Sequence, residues 1–208
     1  PYLDNLPTAP REKFAANIAA IQKLKEIEQR VANGGSPAFE DEQKILAQYT
    51  GWGGLSDAFD PNKSAWSNEY SQLKATLSES EYEAARSSTL TAFYTPATVI
   101  HPIYRALERF GVKGGKILEP SMGTGAFLAH GHFGSSDAKF YGVELDSITG
   151  RISKQLYQKA NIQVTGYENA LLPDNYFDCV IGNVPFGNFQ VNDPQYCLLY
   201  TSPSPRDM

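Results

Sequence analysis

Two short segments carry residues that could do chemistry. Glu119-Pro-Ser-Met-Gly-Thr-Gly-Ala-Phe127 runs from an apolar stretch through a glycine pair into helix-forming residues. A loop of that kind offers bare backbone amides to the carboxylate or phosphate of a small anionic cofactor. Gly182-Asn-Val-Pro-Phe-Gly187 follows the apolar run Phe177 to Ile181 and places an amide, a proline and an aromatic ring in succession. These groups suit a planar base, hydrogen-bonded on its edge and stacked on its face. Asn183 and the Val184 carbonyl would accept the bonds, Phe186 would stack, and Pro185 would fix φ and so the aim of both.

Each segment also has a plainer reading. Gly123-Thr-Gly125 serves as a strand-to-helix turn that needs positive φ. Asn183-Val-Pro-Phe186 serves as a proline turn closing a strand, with the ring in the core. Some chemistry is removed outright. No third glycine stands at dinucleotide spacing, where the chain has Leu128, and no Lys-Ser/Thr follows the loop. That counts against NAD or FAD and removes a P-loop nucleotide hydrolase. Glu144, in Gly142-Val-Glu-Leu-Asp146, ends a further apolar run, where it is either a solvated loop acid or an acceptor for two ribose hydroxyls. Asp146 reads as the cap of the next helix.

Placing these groups requires a particular frame. From Ala92 onward, strands are predicted at Lys116 to Glu119, Phe140 to Leu145, Ile162 to Thr165 and Phe177 to Ile181. Helices are predicted from Thr95-Pro96 to about Arg109, with Thr95 as cap and Pro96 in the first position, then at Thr124 to His130 and Ser147 to Lys159. This alternation implies a mostly parallel α/β sheet with ligands at the strands' C-terminal ends. Ahead of it, Phe14, Ile18, Ile21, Leu24 and Val31 keep helical spacing after Pro10. Glu40 to Tyr49 predicts a second helix, and Ser78-Glu-Ser-Glu81 a capping box opening a third. The expected organisation is a helical N-terminal extension over 1–90 and a cofactor-binding core over 91–196. Trp52, in Tyr49-Thr-Gly-Trp-Gly-Gly-Leu55, is read either as a plug of the helical layer or as a contact at the cofactor's mouth.

Bulk properties narrow the partners. With 208 residues and 41% hydrophobic content the chain can bury a sizeable core. No apolar run approaches a membrane span. A net charge of −5 is not that of a self-sufficient nucleic-acid binder, so a DNA substrate would take most phosphate contacts from elsewhere. Cys179 and Cys197 form neither a disulfide framework nor a metal spacing, which makes a reducing cytoplasm the expectation and implies no metal. His101, His130 and His132 read as surface or packing residues. Pro1-Tyr-Leu-Asp4 is expected to lie inside a longer protein, and Cys197 to Met208 resembles a translated sequencing adapter and is set aside from the fold.

Phe93-Tyr-Thr-Pro96, the glycine loop and Asn183-Val-Pro-Phe186, in that order, resemble the motifs of S-adenosylmethionine-dependent DNA adenine-N6 methyltransferases. The family form is Asn/Asp-Pro-Pro-Tyr/Phe; Val184 replaces its first proline and keeps the carbonyl. The resemblance implies a truncated Rossmann-like class I methyltransferase sheet, S-adenosyl-L-methionine as cofactor, and direct methyl transfer to adenine N6 in DNA. It implies that Asn183, Val184, Pro185 and Phe186 hold the extruded base. Tyr94, Thr95, Pro96, Glu119, Pro120, Gly123, Gly125 and Phe127 are implied to bind the cofactor, with Thr95, Gly123 and Gly125 at its methionine part, and Glu144 at its ribose. Glu168, with Asn169 as second choice, is implied at the adenine, where many relatives carry Asp. No Pro-Cys nucleophile is present for cytosine C5 chemistry. Tyr49 to Leu55 resembles a segment ahead of the methylase core in large proteins of phages and mobile elements, some continuing into a helicase-like region. Strands beyond the fourth are missing, so the fragment is expected to be poorly active or inactive. Methylation of RNA or a protein glutamine, and a degenerate methylase-like module of a helicase or antirestriction protein, stand as alternatives.

Overall fold

The computed structural model describes residues 6–89, 95–131 and 138–183. The chain opens with α1 (Pro10–Ala32), which has Pro10 in its first turn and buries Phe14, Ile18, Ile21, Leu24 and Ile27. The apolar stripe ends at Ile27; Val31 is exposed. After α2 (Glu40–Leu46) the chain leaves the helix in tight turns that carry Tyr49 inward. Two short 3-10 turns, Ser56–Phe59 and Ser64–Trp66, lead to α3 (Ser67–Thr76), which the sequence reading did not anticipate. The capping box of α4 (Glu79–Ser88) forms in both directions: Glu81 N–H donates to Ser78 Oγ at 3.3 Å, and Ser78 N–H to Glu81 Oε2 at 2.9 Å.

Trp52 is buried in this layer, edge-on to Phe14, Tyr49 and Phe59. Its loop is fastened by the buried Asn17, whose amide donates to the Gly51 carbonyl at 2.6 Å and accepts from Thr50 N–H at 2.8 Å. One side chain thus satisfies two backbone groups that would otherwise be buried without partners. Trp52 is a plug of the helical layer.

The sheet contains β1 (Lys116–Glu119), β2 (Lys139–Glu144), β3 (Asn161–Val164) and β4 (Cys179–Val180), all parallel, in the order β3-β2-β1-β4. The β4 pairing continues past its ends, with Asp178 N–H donating to the Lys116 carbonyl and Ile181 N–H to the Leu118 carbonyl, both at 2.9 Å. Three helices serve the sheet: α5 (Ala97–Arg109), α6 (Ala126–His130) and α7 (Ser147–Leu156). Pro96 itself is the N-cap of α5, so Thr95 lies one residue outside the helix and does not cap it. Asp146 does cap α7, accepting from Thr149 N–H at 2.8 Å. That helix ends before Lys159 because Tyr157 departs from helical geometry at φ −116° and ψ 62°.

Two apolar clusters hold the molecule together. Ile100, Tyr104, Phe127, Ile117 and Ile181 join α5 and α6 to the sheet. Ile148 and Ile152 of α7 belong instead to the core of the helical layer. Polar ties reinforce that seam: Arg151 pairs with Glu28 and Glu81, and Gln155 bonds Ala38 N–H and receives the Gln43 amide at its carbonyl. The N-terminal helices and α7 therefore share one apolar cluster, while α5, α6 and the sheet form the other. Among the described residues, no helix is long and apolar enough to cross a membrane.

Candidate active site

From β1 the chain builds outward through β2 and β3, then returns to lay β4 on the other side of β1. A reversal of this kind opens a crevice at the strands' carboxyl ends. Glu119 ends β1, Glu144 ends β2, and Asn183 lies just beyond β4. Gly182 rests against the β1 corner: a Cβ there would lie 3.5 Å from Pro120 Cδ and 3.6 Å from Glu119 Cγ. The two segments that the sequence singled out are thus neighbours on one edge, and Asn183 is exposed there. Tyr94, Val184, Pro185 and Phe186 lie outside the described residues.

The glycine loop owes its shape to backbone that side chains disfavour. Gly123 and Gly125 have φ of +54° and +74°, the left-handed region that costs a residue with a Cβ about 1–2 kcal/mol. Two sequence expectations change here. Gly123 N–H is not bare; it donates to Glu144 Oε2 at 2.7 Å, while Glu144 Oε1 accepts from Asp146 N–H at 2.8 Å. The missing Cβ of Gly125 makes room for the Tyr157 ring and not for a ligand. Behind the loop, Ser153 Oγ donates to the Gly123 carbonyl, and Tyr157 OH lies within 2.9 Å of both the Thr124 and Gly125 carbonyls. Neither hydroxyl, on α7 at Ser153 or just past its end at Tyr157, carried a signal in the sequence, because such contacts arise only from packing α7 against the loop. Phe127 also departs from expectation: its ring is 2% exposed and belongs to the α5–α6 core, so it is unavailable to a cofactor.

Electrostatics point to a particular kind of ligand. Glu119 is 2% exposed, and its Oε2 has no partner among the described residues. Burial, with a further push from the charge of Glu144, holds its carboxyl well above the usual range. Burial also raises Glu144, against the backbone N–H groups of Asp146, Gly123 and Leu145, which stabilise its charge. A phosphate brought here would meet two acids, whereas an ammonium or sulfonium would favour the ionised form of both and so draw the proton off Glu119. S-Adenosylmethionine carries both cations and no phosphate, and the orphaned Glu119 oxygen is an acceptor of the kind its ammonium needs. Leu145, next to Glu144 and 76% exposed, is an apolar surface that the sequence reading missed. Glu168 and Asn169 sit exposed in a 3-10 turn after β3, the amide of Asn169 bonded to Glu168 Oε1 at 3.0 Å. Thr95 is half-buried and Pro96 exposed at the entry to α5.

Such a sheet, with acids and an amide gathered on its carboxyl edge, is an α/β frame suited to a nucleoside cofactor. Residues 79–197 match the family model of N-6 DNA methylases, and the chain belongs to that family. It is 29% identical over 179 residues to Defense against restriction protein B of Escherichia phage P1, covering 85% of this chain and 6% of that protein. It is 30% identical over 119 residues to Modification methylase CviBIII of Paramecium bursaria Chlorella virus NC1A, covering 57% of this chain and 31% of that enzyme. A solved Pyrococcus horikoshii structure, described as a candidate RNA methyltransferase, aligns with a TM-score of 0.39 at 20% identity over 52% of this chain and 56% of its own. The chain spans less than a third of either curated relative.

Proposed function

We propose that this chain is the cofactor-binding part of an enzyme that transfers a methyl group from S-adenosylmethionine to adenine N6 in DNA. The observation that carries the reading is the adjacency of the Glu119 corner and an exposed Asn183 across the β1–β4 switch point. When bound, the cofactor supplies an electrophilic methyl on a sulfonium. Glu119 takes its ammonium, Glu144 uses its remaining lone pairs for ribose hydroxyls, and Leu145 packs on its adenine. Glu168, or Asn169, reaches the adenine edge; Thr95, Pro96 and Pro120 line the methionine end.

On the acceptor side, the Asn183 amide oxygen and the Val184 carbonyl accept the two N–H bonds of the target amino group. This draws its hydrogens out of the ring plane, frees the nitrogen lone pair, and disperses positive charge as it develops. Phe186 stacks on the extruded base, and Pro185 holds the turn. DNA binding draws on regions beyond this cofactor-binding part, consistent with the net charge of −5. In the whole protein, Asn183→Ala is expected to lower transfer to DNA by about 100-fold or more while cofactor affinity is retained. Calorimetry with S-adenosylmethionine and tritium transfer to DNA, RNA and protein read the two effects separately. Unchanged transfer in the variant, or wild-type transfer to RNA or protein alone, contradicts the proposal.

A further inference from the structure

Helix α7 serves two partners at once. Ile148 and Ile152 enter the core of the helical layer, and Arg151 and Gln155 tie it to α1, α4 and the segment before α2. Ser153 and Tyr157, one helical turn apart, reach the cofactor loop instead. Their hydroxyls hold three consecutive carbonyls, those of Gly123, Thr124 and Gly125, each at 2.9 Å. Peptide units are planar and trans, so fixing each C=O also fixes the N–H of the following residue. The orientations of Thr124, Gly125 and Ala126 amides are thereby set from behind. Gly125 N–H closes the turn onto the Met122 carbonyl at 2.8 Å, which leaves the loop little freedom to rotate a peptide. The Tyr157 ring also lies against Gly125, filling the space where a side chain would be. Its single phenolic proton is shared between two acceptors, so loss of one oxygen frees two carbonyls together.

We propose that Ser153 and Tyr157 are positioning residues for the cofactor loop: they hold it in its binding shape, and the helical layer backs them by fixing α7. The proposal rests on the reading of this loop as the S-adenosylmethionine site. The test uses the full chain as wild type, Tyr157→Phe and Ser153→Ala. S-Adenosylmethionine is titrated by calorimetry, and amide hydrogen exchange at residues 122–126 is followed without ligand. Each variant is expected to bind about tenfold more weakly, the equivalent of one lost hydrogen bond. Loop amides should exchange faster, with exchange in α1 and the sheet unchanged, an outcome that general destabilisation would not give. Affinity within about twofold of wild type together with unaltered loop exchange overturns the positioning role. A wild type that binds no S-adenosylmethionine overturns the cofactor reading and this role with it, and is told apart from the previous result by the wild-type titration alone.

Discussion

Glu119 is the residue on which the site turns. A buried carboxyl with an oxygen left unbonded is costly in the free protein, and a cationic ligand would offset that cost. Its folded pKa lies above the ordinary 4.5, so the native state keeps a proton that the unfolded chain releases. Stability is therefore lost as pH rises from that ordinary value toward the raised one. Glu119→Gln is expected to remove this slope: the variant should melt at a higher temperature than wild type at neutral pH, the gap closing as pH falls to 4.5. It should also bind S-adenosylmethionine more weakly. Parallel melts across that range, with unchanged affinity, would contradict the role. The residue types at Glu119, Glu144 and Asn183 were legible in the sequence because each ends a strand-like apolar run. What was not legible was occupancy. Gly123 N–H is taken by Glu144, Gly125 by Tyr157, and Phe127 by the core, all through contacts that no local spacing encodes.

At the scale of elements, local rules succeeded where the signal was local. The Ser78 capping box, the Asp146 cap and the strands around Ile117 and Val143 follow directly from neighbouring residues. Helix α3 escaped because it buries only Leu73 and so lacks an apolar stripe. The start of α5 was misplaced by one residue because Thr95-Pro96 satisfies a capping rule that the backbone does not use. The helical layer has its own electrostatic fastening. Arg30 grips Glu42 through two hydrogen bonds, at 2.7 and 2.6 Å, and Glu42 also accepts from Phe39 N–H at the start of α2. The Arg30 guanidinium beside it lowers the Glu42 carboxyl from 4.5 to about 2. A depressed acid contributes stability above its unfolded pKa and loses it as pH falls through the folded value. Wild type should therefore outlast Glu42→Gln in thermal melts at neutral pH, and the difference should fade between 4.5 and about 2. A gap independent of pH would assign the effect to packing instead.

The whole molecule joins two layers through one helix. Because α7 sits in the core of the helical layer and Ser153 on it bonds the glycine loop, the N-terminal extension that the sequence set apart at 1–90 is tied to the frame of that loop. Methyl transfer as proposed requires the β1 and β4 corners to bound a single cleft. A crystal structure of the complex with S-adenosylhomocysteine would show whether they do. The ammonium is expected on Glu119, the ribose hydroxyls on Glu144, and the sulfur facing Asn183 across the switch point; a ligand bound elsewhere, or its sulfur turned away from Asn183, would rule the shared cleft out.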